Sequence, residues 1–134
     1  MTSTSPWRWR MIVHGTFRET WIDAPPELRA AIFAAWLDLH RDWQARGCQL
    51  VATMDDTSVV GQPQPGGANF YTIWEIPDPS IIKELLDPAW DEQADLPVRL
   101  ANYFALRVTV GKPIITMEHE LGGPQQATPP DAPA

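Results

Sequence analysis

Apolar and polar residues alternate from the beginning of the chain. In "WRWRMIVHGTFRE" (7–19), Trp7, Trp9, Met11, Val13 and Phe17 take odd positions, and Arg8, Arg10, His14, Thr16 and Arg18 take even ones. A period of two places these sets on opposite faces of a strand. The period then changes. In "DAPPELRAAIFAAWLDLHRDWQARG", Leu28, Ile32, Trp36, Leu39 and Trp43 recur at steps of four, four, three and four, which draws one stripe along a helix. Asp23 and the prolines after it suit a first turn, and Gly47 closes the helix. Ala31 and Ala35 beside the stripe allow close packing on a sheet.

"CQLVATMDDTSVVG" reads as a strand, bent or interrupted at Asp55 and Asp56, and "ANFYTIWEI" as the next one. The breaker cluster "QPQPGG" between them predicts a hairpin. "PDPSIIKELLDPAWDEQADLPVRLANY" predicts a helix with Asp78 as N-cap and Pro79 at its first position, broken into shorter pieces by Pro88 and Pro97. "FALRVTVGKPIITM" alternates again and predicts a last strand that Pro113 ends or bends. The order β-α-β-β-α-β predicts an α+β chain of the ferredoxin-like βαββαβ type, an antiparallel sheet with two helices on one face. One domain is expected over 7–121. Residues 1–6 and the tail 122–134, "GGPQQATPPDAPA", are too polar and too rich in Gly and Pro to bury a core, and are expected to be disordered.

Helices on one side leave the other side of the sheet bare. The even residues of the first strand fall there, with Tyr71, Ile73 and Glu75 of the third and Arg107 and Thr109 of the last. That face mixes Ile12 and Ile73 with Arg10, His14, Thr16, Tyr71, Glu75 and Arg107. A solvated face rarely carries Ile and Tyr at its centre, and a core rarely carries two Arg, a Glu and a His. The mixture suits a cavity closed by a second copy of the same sheet.

In this respect "NFYTIWEIPDPSIIKELL", the proline-broken helix after it and "YFALRVTV" resemble the second half of dimeric α/β-barrel proteins, and the resemblance in element order spans roughly residues 7 to 117. Members of that superfamily include muconolactone-isomerase-like proteins, cofactor-independent monooxygenases, polyketide cyclases, EthD-like and stress-responsive barrel proteins and some haem-degrading enzymes. The resemblance implies a homodimer joined through the open sheet faces. No catalytic motif is common to the superfamily, so it assigns no residue a role.

Composition narrows the partners. The 134 residues carry a net charge of −7 with only ten Lys and Arg, so the clustered basic surface that nucleic acid requires is not expected. The longest apolar run, 30–37, is too short to span a bilayer, and the first residues lack the pattern of a signal peptide; a cytoplasmic location without membrane contact is expected. Cys48 is the single cysteine, which excludes an internal disulfide and suits a buried structural thiol.

His14 is the sharpest candidate for catalysis, since an ordinary imidazole exchanges protons near neutrality. Arg10, on the same strand face, could stabilise developing negative charge, and Arg107 could hold a carboxylate; either could instead pair with Glu75 or Glu19. Tyr71 and Thr16 could orient a substrate oxygen, and Trp21 and Trp90, in connecting or broken-helix segments, could stack on an aromatic substrate. His40 flanks the helix stripe and reads as a partly buried structural histidine, and His119 as exposed. The chain has no HExxH motif, no phosphate-binding glycine loop and no GxSxG, so neither metal nor organic cofactor is expected. These features predict a small cofactor-independent enzyme performing isomerisation or cyclisation on a hydrophobic cyclic or aromatic carbonyl or phenolic compound. The alternatives are a cofactor-free monooxygenase and a non-catalytic ligand-binding or haem-associated barrel, with haem on a lone axial His14 or His40.

Overall fold

A computed structural model describes residues 7–56, 60–61, 69–90 and 98–122. The elements are β1 (Trp9–Phe17), a short α1 (Glu19–Ile22), α2 (Pro26–Ala45), β2 (Gln49–Asp55), β3 (Phe70–Ile76), α3 (Ile82–Trp90), β4 (Phe104–Gly111) and α4 (Ile115–Leu121). Single 3₁₀ turns at Pro79–Ile81 and Leu100–Asn102 lead into α3 and β4. The sheet runs β2-β3-β1-β4 with every neighbouring pair antiparallel, an order consistent with the ferredoxin-like arrangement.

The alternation in β1 does what period two requires. Met11 and Val13 are fully buried, and Trp74 and Ile76 of β3 lie on the same side, while Ile12, His14 and Ile73 face the other way. The stripe of α2 covers the first side: Ile32, Leu39 and Trp43 are buried, and Leu28 and Trp36 pack against the core. Gly47, just past the helix, has φ +93°, a left-handed backbone that a side chain would strain. Gly15 has a different reason to be glycine. The Phe70 ring lies directly against it, and a methyl group there would fall inside that ring. Bare backbone at Gly15 thus lets Phe70 join Phe17, Trp36 and Phe104 in one aromatic cluster.

Asp78 caps the turn before α3, its carboxylate accepting the Ser80 N–H at 2.8 Å. Pro88 does not break that helix: α3 continues through it to Trp90. A proline inside a helix costs roughly 3 kcal/mol, but Leu85, Leu86 and Ala89 are buried on the same helix. The two leucines alone recover about 1.5–3 kcal/mol each. Pro97, "QPQPGG", residues 1–6 and residues 123–134 lie outside the described residues.

The end of the chain departs most from the predicted pattern. The last strand stops at Gly111, Pro113 is buried, and "ITMEHEL" turns into α4, closed by Gly122 in the left-handed conformation. Alternation in "FALRVTVG" does not extend into "PIITMEHEL", where Glu118, His119 and Glu120 supply helical polar positions instead. α4 returns to the sheet face that was expected to carry no helix. Glu118 takes both terminal nitrogens of Arg10, at 3.0 and 2.8 Å.

Candidate functional site

The open face gathers only some of the residues expected there. His14 stands opposite Tyr71 on β3 and Arg107 on β4. Its Nε2 lies 3.0 Å from the Thr109 hydroxyl, and its ring meets Tyr71 edge-on at 5.4 Å. Partial burial, and then the Arg107 charge, hold the His14 pKa below its ordinary value. Thr16 is half-buried further along the same strand face. Arg10 is not part of this group. Four residues of strand separate it from His14 by about 13 Å, and its guanidinium is engaged by Glu118. Glu75, an expected partner of Arg10, lies 4.0 Å from Arg8 instead.

Neither tryptophan expected at a cavity mouth joins this face. Trp21 packs against Phe17 and Phe104 in the aromatic cluster, with the Arg29 guanidinium over its ring. Trp90 ends α3, and its carbonyl accepts two bonds from Arg99.

An apolar groove lies on the other side of the sheet, between α2 and β2, with a volume of about 470 Å³. It exists because α2 covers the centre of the sheet and leaves the edge strand bare: every residue of β2 is exposed. Phe33 and Leu37 of α2 and Leu50 and Met54 of β2 form an exposed apolar rim. Trp36, Phe70, Thr72 and Trp74 line the interior, together with His40.

His40 occupies a box of three indoles. It stacks on Trp74 at 5.2 Å and 11°, and meets Trp36 and Trp43 edge-on at 4.4 and 4.6 Å. Its Nδ1 lies 2.6 Å from the Trp36 carbonyl one helical turn earlier. A carbonyl can only accept, so Nδ1 carries the proton and Nε2 keeps its lone pair. That Nε2 is sealed from solvent, and among the described residues it is the one buried side-chain polar atom without a hydrogen-bond partner. An unmet buried acceptor costs about 1–3 kcal/mol. Burial lowers the His40 pKa below its ordinary value, and the bond to Trp36 opposes that only in part, so the ring is neutral at pH 7.

The expectation that His40 is a partly buried helix histidine thus meets the structure half-way: it is partly buried, but one side of the ring has no structural partner. What could have singled it out is the spacing Trp36, His40, Trp43, which puts a polar ring between two indoles on one helix face. The third indole, Trp74, comes from β3 and is invisible in local sequence.

Burial also raises the Cys48 thiol pKa, in keeping with a structural thiol. Among the described residues no group of three His, Cys, Asp or Glu side chains is placed to hold a metal ion, and no helix is long and apolar enough to cross a membrane. No protein-family model matches this chain, and no curated protein matches it.

Proposed function

We propose that the α2–β2 groove binds a neutral cyclic or aromatic compound and that His40 takes a proton from it, in cofactor-independent acid–base chemistry of the isomerisation or cyclisation type. One observation carries this reading: a neutral imidazole whose tautomer is fixed by a backbone carbonyl and whose remaining nitrogen has no partner. A free lone pair on a group that is uncharged at neutral pH is what a general base requires, and in this reading the indole box that seals Nε2 in the free protein opens around the substrate. The indoles around it and the apolar rim suit a flat hydrophobic substrate. Arg41, the one cationic side chain at the groove among the described residues, is paired with Asp38, so a neutral substrate is favoured over an anion.

For a ketone, the step removes a proton from the carbon beside the carbonyl. The C–H electron pair becomes the carbon–carbon double bond of an enolate, the carbonyl π pair moves to oxygen, and the proton rests on Nε2. In a ketone with a carbon–carbon double bond next to that carbon the enolate is a conjugated dienolate, and returning the proton to its far carbon, with the double bond shifting into conjugation, completes an isomerisation with no redox partner. His40, rather than His14, is the base in this reading, because the His14 Nε2 is already engaged by Thr109 on an open surface.

The test uses 2-tetralone, a flat enolisable ketone, in deuterium oxide. Wild-type protein should accelerate deuterium exchange beside the carbonyl, and His40→Gln should abolish the acceleration. Exchange at the buffer rate with wild-type protein would overturn the reading.

The sheet face away from α2 supports the expected homodimer as a second part of the proposal. Ile12 and Ile73 sit at its centre, and α4 leaves Ile115, Met117 and Leu121 at least half exposed beside it. Sedimentation over a range of concentrations should show a dimer; a chain that stays monomeric at high micromolar concentration contradicts it.

A further inference from the structure

We infer that Thr72 is the hydrogen-bond donor to the substrate oxygen, completing a donor–acceptor pair with His40 in the α2–β2 groove; this rests on the reading of His40 as the base. Thr72 is the only buried polar residue among those described, and it lies on the helix-covered face of β3, where its neighbours Phe70, Trp74 and Ile76 are all large and apolar. Val, almost the same shape, would fill that position without a polar atom. The hydroxyl therefore asks for an explanation.

Half of the explanation is Trp74, whose indole N–H donates to the Thr72 oxygen at 2.9 Å. That bond fixes which side of the hydroxyl is used as acceptor, and the hydroxyl's own proton has no acceptor among the described residues. Thr72 lines the same groove as His40. The two are held against one ring: Trp74 stacks on the imidazole and anchors the hydroxyl. One indole thus holds together an unspent acceptor, Nε2, which is sealed in the free protein and meets a ligand only when the indole box opens around it, and an unspent donor, the Thr72 O–H.

This pair matches an enolising ketone. When Nε2 takes the carbon-bound proton, negative charge gathers on the former carbonyl oxygen, and a donor already in place stabilises it without reorganising. The bond from Trp74 makes the hydroxyl a better donor, because accepting one hydrogen bond polarises the O–H that gives the next. The substrate class narrows accordingly to neutral cyclic ketones with an acidic neighbouring C–H, and to their enol or phenol forms.

Thr72→Val should slow the exchange of 2-tetralone by about 10²-fold, the usual loss of one oxyanion donor, and Thr72→Ser should restore most of it. A Thr72→Val protein that exchanges at the wild-type rate, while His40→Gln does not, overturns the role of Thr72 and leaves the base intact. If wild type itself fails to exchange, the base reading falls and Thr72 with it. Should Thr72→Val not fold, wild-type affinities decide. 2-Methoxynaphthalene, whose oxygen only accepts, should bind more tightly than naphthalene; equal or weaker binding overturns the donor.

Discussion

The two faces of the sheet are built from alternate residues of the same strands, yet they treat polar groups differently. On the open face several polar side chains have found company: Arg10 has Glu118, Arg8 has Glu75, and His14 has Thr109. On the covered face, where water is excluded and an unmet partner is costly, His40 Nε2 has none. Polar groups in water are cheap to place and say little about purpose. A buried acceptor left open costs stability in every folded molecule, and is the stronger pointer to a ligand. The comparison moves the candidate chemistry from the face that looked functional to the face that looked like core.

The largest expected effect separates neighbours on one strand. Trp74→Ala should cost about 3–5 kcal/mol, since that indole is 1% exposed and supports both His40 and Thr72. Ile73→Ala, one residue away on the open face, should cost about 1 kcal/mol in the monomer, as judged by urea denaturation. Equal costs at low protein concentration would erase the distinction between the faces. A cost for Ile73→Ala that grows with protein concentration would instead report the proposed dimer.

Next comes the price of the open acceptor. His40→Phe keeps a ring in the indole box and removes the unpaired nitrogen, so thermal denaturation should show stability unchanged or raised by about 1 kcal/mol. A loss of several kcal/mol would mean that the imidazole is there for the fold. The pH dependence should be of similar size. Because folding lowers the His40 pKa, the unfolded chain binds the proton more readily. That contribution to stability is complete above about pH 6.5, where an ordinary histidine titrates, and is lost as the pH falls below it. His14 shifts in the same direction but its ring is less deeply buried, so His40→Phe should flatten most of the slope while His14→Gln leaves it. The charges that face the His40 groove are Arg41, paired with Asp38, and the exposed Asp55.

The smallest effect belongs to the open face. Glu118→Gln removes the charge that pins α4 to Arg10, and should cost about 1 kcal/mol or less in chemical denaturation. Affinity for 2-naphthol, an aromatic analogue of the enol, should not move. A large drop in that affinity would bring the open face back into the site.

Strong periodic signals carried most of the fold. The alternation in β1 and the α2 stripe predicted which residues are buried, and both depend on spacing within one element. Pro88 was misleading because the cost of a helical proline is local, whereas the burial of Leu85 and Leu86 that outweighs it is tertiary. α4 was missed because "PIITM" carries β-branched residues that prolong the look of a strand. For the site, sequence alternation brought His14 to Tyr71 and Arg107, and these do meet. It could not reveal that Arg10 would be taken by Glu118, 108 residues away, or that Trp74 would cross from β3 to close a box around a helix histidine. Both facts are made by chain-distant contacts.

The most direct test of the central claim is nitrogen NMR of the three histidine side chains, with and without 2-naphthol. The account predicts that free His40 shows a protonated Nδ1 and a bare Nε2, and that adding 2-naphthol shifts the His40 Nε2 signal toward a hydrogen-bonded acceptor while the His14 signals stay in place. A His40 Nε2 that is unmoved by the ligand, or a response confined to His14, would contradict it.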